Sequence, residues 1–168
     1  MVLDFLVLGV FPAAMAFAAA SDLLTMKISN RLSLGLVLAF FPVAFLIGMT
    51  WADMGSHLLA SAVVLGVCFA FFAMGWIGGG DAKLAAATAL WFGFAHLTQY
   101  LFLAAIIGGV LTLVLLKLRN YPLPESLVGT RWIERLHAPG MGVPYGIALA
   151  AAALVVYPKT PFMQAVIG

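Results

Sequence analysis

The sequence predicts an all-α, polytopic membrane protein of about six transmembrane helices, forming a single domain over residues 1–168, on three observations. Of its 168 residues 65% are hydrophobic and 8% charged, where an average soluble domain has about a quarter charged. Mean hydropathy is +1.15. The charged residues lie between long apolar runs, and the basic ones collect on one side of them. Eight Lys+Arg and six Asp+Glu cannot build a polar exterior, so most of the surface must face lipid. Each span takes about 20 residues, which leaves little chain for a soluble appendage.

The apolar runs fall at about 2–20, 32–49, 57–77, 84–95, 98–116 and 142–157. The first ends in Ala18-Ala19-Ala20, like a signal-peptide cleavage site, but it lacks a basic n-region. Asp4 is the only charge at its start, and Lys27 and Arg31 follow it, so a retained helix with its C-terminal end in the cytoplasm is expected. The fourth run is short and meets the fifth around Gly93 to Thr98. One unbroken helix over both would be about 50 Å long, against a bilayer core of roughly 30 Å. Two helices are therefore expected, with one broken or re-entrant element as the alternative. Between the fifth and sixth runs, 117–141 holds Leu127, Val128, Trp132, Ile133 and Leu136 among Arg131, Glu134 and Arg135. That pattern suits a short amphipathic helix anchored in the interface, with Trp132 at headgroup depth.

With this arrangement Lys27, Arg31, Lys83, Lys117, Arg119, Arg131 and Arg135 face the cytoplasm and Lys159 alone lies outside, a strong positive-inside bias. Both termini are then periplasmic, and 21–31, 78–83 and 117–141 are cytoplasmic. The partners expected from composition are membrane lipids and not nucleic acid. Cys68 is the one cysteine and sits in an apolar run, which excludes a disulfide framework or thiolate cluster and suits a buried hydrophobe. His57, His96 and His137 are scattered, with no HExxH and no GxSxG elbow, so neither a metal site nor a serine hydrolase is expected. No cofactor is implied.

Charges next to spanning helices are costly and call for a reason. Asp22 follows the first run, and Asp81 follows the third within Gly78-Gly79-Gly80-Asp81-Ala82-Lys83, so two carboxylates reach one membrane face. A lone Asp at a helix boundary is commonly a solvated cap. Three consecutive glycines, however, weaken a regular helix and suit special dihedrals or an extended peptide lying alongside. Lys83 fits a snorkelling residue or a counter-charge to a carboxylate. If the aspartates converge they cannot both ionise cheaply, and one holds a proton while the other stays anionic. An anion that activates water beside a neutral acid that polarises a carbonyl is the arrangement of aspartic proteases.

At these residues the sequence resembles the type IV prepilin peptidases. Asp22-Leu23-Leu24-Thr25-Met26-Lys27-Ile28-Ser29-Asn30 is similar to their first aspartate motif, and Gly78 to Lys83 to their GxGD motif. Val143-Pro144-Tyr145-Gly146-Ile147-Ala148 is similar to the Pro-Tyr/Phe-Gly segment opening their last helix. The resemblance implies Asp22 and Asp81 as catalytic dyad, with Gly78, Gly79, Gly80, Lys83, Asn30, Pro144, Tyr145 and Gly146 binding substrate or shaping the site. It further implies cleavage of basic leader peptides from pilin or pseudopilin precursors at the cytoplasmic face of the bacterial inner membrane. Two departures stand out. Ser29 replaces the proline often found before Asn30, which leaves the start of the second helix less rigidly set. The cytoplasmic insert with paired CxxC motifs, linked to N-methylation, is missing, so the chain resembles the short tight-adherence (Flp-type) peptidases and no methyltransferase activity is implied.

The competing class is a small multi-span proton-coupled transporter, because membrane carboxylates with a lysine can relay protons and glycine breaks mark discontinuous helices. Against it, both carboxylates lie at one face rather than the midplane. A scaffold subunit explains the hydrophobicity but leaves Gly78 to Asp81 without purpose. Oligomeric state is left open.

Overall fold

The computed structural model describes residues 2–167, and no strand occurs among them. The helices are α1 (Leu3–Thr25), α2 (Asn30–Leu46), α3 (Trp51–Ala73), α4 (Gly79–Leu118), α5 (Arg131–His137), α6 (Tyr145–Val156) and α7 (Pro161–Ile167). Helices α1, α3 and α4 are each long and apolar enough to cross a bilayer, and α6 joins α7 across a 50° bend as a fourth candidate span. Helix α2 is apolar but only 17 residues long. The chain is an all-α membrane protein. Large apolar side chains such as Phe45, Phe102 and Leu113 point outward, as a lipid solvent permits.

The apolar runs of the sequence correspond to α1, α2, α3, the two arms of α4, and α6. Two boundaries move. Helix α4 begins at Gly79 rather than 84, which places Asp81 inside its first turn, and α1 continues to Thr25, which places Asp22 inside its last. The division expected within Gly93 to Thr98 lies at its first residue, Gly93, whose φ of 57° and ψ of −175° break the helix in a conformation that side chains disfavour. Hydropathy is continuous across that point and carries no signal of it.

Helix α4 is the centre of the molecule, packing along α3 and α6 and touching α2, while α6 also lies against α1. Around Gly93 the core is aromatic. Phe11 stacks on Tyr157 at 4.4 Å, and Trp91 lies 4.9 Å from Phe162 and 5.2 Å from Phe11 between ring centroids. Three buried polar side chains here meet backbone carbonyls, while the Tyr100 hydroxyl, buried against Phe92, has no hydrogen-bond partner among the described residues. The Trp91 indole N–H donates to Leu36 O at 3.1 Å, and the Tyr157 hydroxyl to Val7 O at 2.9 Å. Val7 lies in a π-helical turn, Leu6–Val10, followed closely by Pro12, which has no N–H to return to that turn. His57 Nδ1 sits 2.7 Å from Leu90 O. A carbonyl only accepts, so Nδ1 carries the proton, and it satisfies a carbonyl whose helical partner four residues on lies past the Gly93 break. In lipid, an unsatisfied backbone group costs several kcal/mol.

At the opposite end the expected amphipathic segment is α5, with Ile133 and Leu136 half-buried and Arg131 and Glu134 exposed. Ser29, the departure from proline, is the N-cap of α2: its hydroxyl accepts the Arg31 N–H at 3.2 Å. The start of α2 is thus set by a side-chain cap in place of a ring.

Candidate active site

Three pieces of chain meet at this end: the turn that closes α1, the glycine-rich start of α4 and the start of α6. Helix α1 stops in a left-handed residue, Met26 at φ 56°, whose N–H returns to Asp22 O at 2.8 Å. The turn Met26 to Ser29 then runs beside Gly80. A Cβ at Gly80 would lie 3.2 Å from Ile28 Cβ, and one at Gly79 3.2 Å from the Phe72 ring, so these glycines bring backbone against neighbouring elements. At Gly78 the neighbour is the acid itself: a Cβ there would stand 2.8 Å from Asp81 Oδ2.

Asp22 is 5% exposed. Its Oδ2 accepts the Gly146 N–H at 2.7 Å, one of the donors that a helix N-terminus leaves without an internal partner. A Cβ at that position would lie 2.8 Å from Asp22 Oδ2 and 2.7 Å from Ile28 Cδ1, so any side chain there would push the carboxylate or Ile28 aside. Asp81 is the third residue of α4, half-buried, and reaches back toward the N–H of Gly78, the N-cap residue. Third-position acids commonly close a cap in this way. Each carboxylate therefore rests on the start of a helix, although Asp22 is borne on the end of one. The two groups are close enough to interact electrostatically.

Both aspartates line a cavity of about 300 Å³ together with Lys27 and Gly78 to Gly80. A second, of about 620 Å³, opens on the other side of Asp81 between Trp76, Ile77, Thr112, Val143 and Tyr145. Asp81 and Gly78 belong to both, so Asp81 stands on the ridge between two spaces. No group of three or more potential metal ligands occurs among the described residues. The arrangement is two carboxylates from different helices with lone pairs directed at accessible volume, which suits handling of protons on a bound water and a bound acyl group.

The other sequence candidates divide. Gly146 and the glycines 78–80 are at the carboxylates. Pro144 is the buried N-cap of α6, and Tyr145 lines the larger cavity while its hydroxyl donates to Ala104 O at 3.2 Å. The Tyr145 ring occupies the space a Cβ at Gly108 would need. Lys83 and Asn30 pair with each other, Nζ to Oδ1 at 2.9 Å, tying the start of α4 to that of α2. Sequence reasoning did not find the left-handed Met26 or the Gly146 to Asp22 bond. A residue type reports its side chain, and both features are properties of backbone.

A family model described as the type IV leader peptidase family matches residues 9–113, a stretch containing both aspartates and ending before Pro144. No curated protein and no solved structure matches the chain.

Proposed function

The chain belongs to the type IV leader peptidase family, and from that premise we propose that it is an aspartic endopeptidase whose dyad is Asp22 and Asp81. Its substrates are pilin-type precursors, most closely those of Flp-type pili, cut at the cytoplasmic face of the bacterial inner membrane. No methyltransferase activity accompanies cleavage, since the chain has one cysteine and no insert to carry CxxC pairs. The observation that carries the reading is that carboxylates 59 positions apart in sequence, borne on different helices, open on one cavity.

In this reaction one aspartate, as the anion, takes a proton from the attacking water, and the water oxygen bonds to the scissile carbonyl carbon. The other, protonated, donates to the carbonyl oxygen. The tetrahedral intermediate collapses as the C–N bond breaks, with a proton passing to the leaving amine, and no acyl-enzyme forms. The Gly146 N–H on Asp22 fixes the direction of one carboxylate. Asp81, on the ridge between two cavities, is where a peptide crossing from one to the other would pass.

The test is purified enzyme in detergent with a precursor and no ion gradient. Asp22→Asn and Asp81→Asn are each expected to reduce cleavage by about a thousandfold or more, and the double variant to be no worse, because the groups act as a unit. Asp53→Asn, in the cap of α3 with Thr50, retains activity. Substantial cleavage by either dyad variant would remove the shared-proton mechanism. No cleavage of any pilin-like precursor by the intact enzyme would favour an ion-coupled carrier.

A further inference from the structure

Arg119 caps the far end of α4, where its backbone N–H returns to Leu115 O at 3.0 Å, yet its side-chain hydrogen bonds do not go to α4. An arginine at a helix C-terminus commonly bonds the last carbonyls of its own helix. Here Nε donates to Leu136 O at 2.7 Å, Nη1 to Met141 O at 2.9 Å and Nη2 to Gly142 O at 2.9 Å. All three nitrogens of the guanidinium are engaged, one with the last turn of α5 at Leu136 and two with the connection between α5 and α6 at Met141 and Gly142. The planar fork matches several carbonyls at once in a way that a flexible ammonium does not.

The connection has little else to fix it. It contains Gly140, at φ 78°, and Gly142, and Met141 and Gly142 are both exposed. Its own backbone bond, Met141 N–H to Ala138 O, is long at 3.3 Å. Four residues after Gly142 comes Gly146, whose N–H holds Asp22 Oδ2. On the other side of α5, Arg135 Nη1 donates to Leu24 O at 3.1 Å, two residues beyond Asp22. The segment carrying the donor and the helix carrying the carboxylate are therefore tied to one strap, and Arg119 fastens that strap to α4.

We propose that Arg119 is a positioning residue: by holding the carbonyls of Leu136, Met141 and Gly142 it keeps the start of α6 where the Gly146 N–H directs the Asp22 carboxylate. This rests on the reading of Asp22 as half of the dyad. Arg119 lies away from the reacting atoms and acts through backbone. Its loss allows the 138–144 connection to drift, and a displacement of about 1 Å at a catalytic group costs on the order of a hundredfold in rate.

The experiment compares the intact chain with Arg119→Gln and Arg119→Lys in detergent, with two readouts. The first is cleavage of a pilin-type precursor, separated into kcat and KM. The second, which needs no substrate, is amide hydrogen exchange in glycine-labelled protein, with Gly93 as internal control for the opposite end. Expected for Arg119→Gln is a kcat lower by about ten- to a hundredfold with KM little changed, and faster exchange at Gly146 with Gly93 unaltered. Arg119→Lys, able to meet fewer of the carbonyls, falls between. Unchanged kcat, unchanged Gly146 exchange, or exchange rising equally at Gly93 each overturns the proposal. Intact enzyme that cleaves no precursor removes the peptidase reading instead, and the hold on Gly146 is then decided by exchange alone.

Discussion

The start of α4 and the break within it at Gly93 both depend on glycine and both bury polar groups, but they use them in opposite senses. Around Gly93 three buried polar side chains are donors spent on backbone carbonyls: His57 on Leu90, Trp91 on Leu36, Tyr157 on Val7. Around Gly78 they are carboxylates, which only accept. Asp22 receives one N–H, and both acids open on a cavity. A donor matched to a carbonyl completes a structure, whereas an acceptor with free lone pairs facing open volume is left able to take a proton. In a membrane protein, where unsatisfied groups are expensive, that contrast separates the end that stabilises from the end proposed to react.

The comparison is sharpest at Gly146 and Gly93, each of which faces a polar side chain. Gly146→Val places a side chain against Asp22 Oδ2 and Ile28, and is expected to reduce cleavage about a thousandfold, close to the loss from a dyad variant. Thermal unfolding in detergent should remain cooperative. Wild-type activity in this variant would show that the Asp22 carboxylate needs no fixed direction. Gly93→Ala is the counterpart. Its φ of 57° with ψ of −175° lies in a region essentially reserved to glycine and costs an L-residue about 1–3 kcal/mol, and its Cβ would fall 2.6 Å from His57 Nε2, adding an overpacking cost of about 1–3 kcal/mol. A stability loss of about 3 kcal/mol is therefore expected in denaturant titration, with cleavage per folded molecule within about twofold of the parent, since 3 kcal/mol in the barrier would be over a hundredfold. A selective loss of kcat would erase the distinction between the ends.

Smaller effects test the same division. His57→Leu leaves Leu90 O without a partner and should lower stability by about 1–3 kcal/mol, with turnover retained. Tyr157→Phe removes one hydrogen bond to Val7 and should cost about 1 kcal/mol or less, again without effect on turnover. Either variant losing activity while keeping its melting temperature would place chemistry at the aromatic end.

From residues alone, the membrane class, the helical content, the apolar runs and a short amphipathic helix within 117–141 were all legible, because lipid demands long apolar segments with internally satisfied backbone and leaves a strong compositional trace. So were Asp22, Asp81 and the glycines beside them, since an acid next to a spanning helix is too costly to be casual. Tertiary structure decided the rest. Within the junction expected at Gly93 to Thr98, the break fell at Gly93 because a positive φ is a matter of dihedral angle, invisible to hydropathy. Gly146 reaches Asp22 across 124 positions through a backbone N–H that every residue except proline possesses, and Arg119, expected only as one of seven basic residues marking the inner face, spends its guanidinium on carbonyls that have no sequence identity at all. Side chains declare themselves in a sequence; the backbone groups they meet are chosen only when the helices pack.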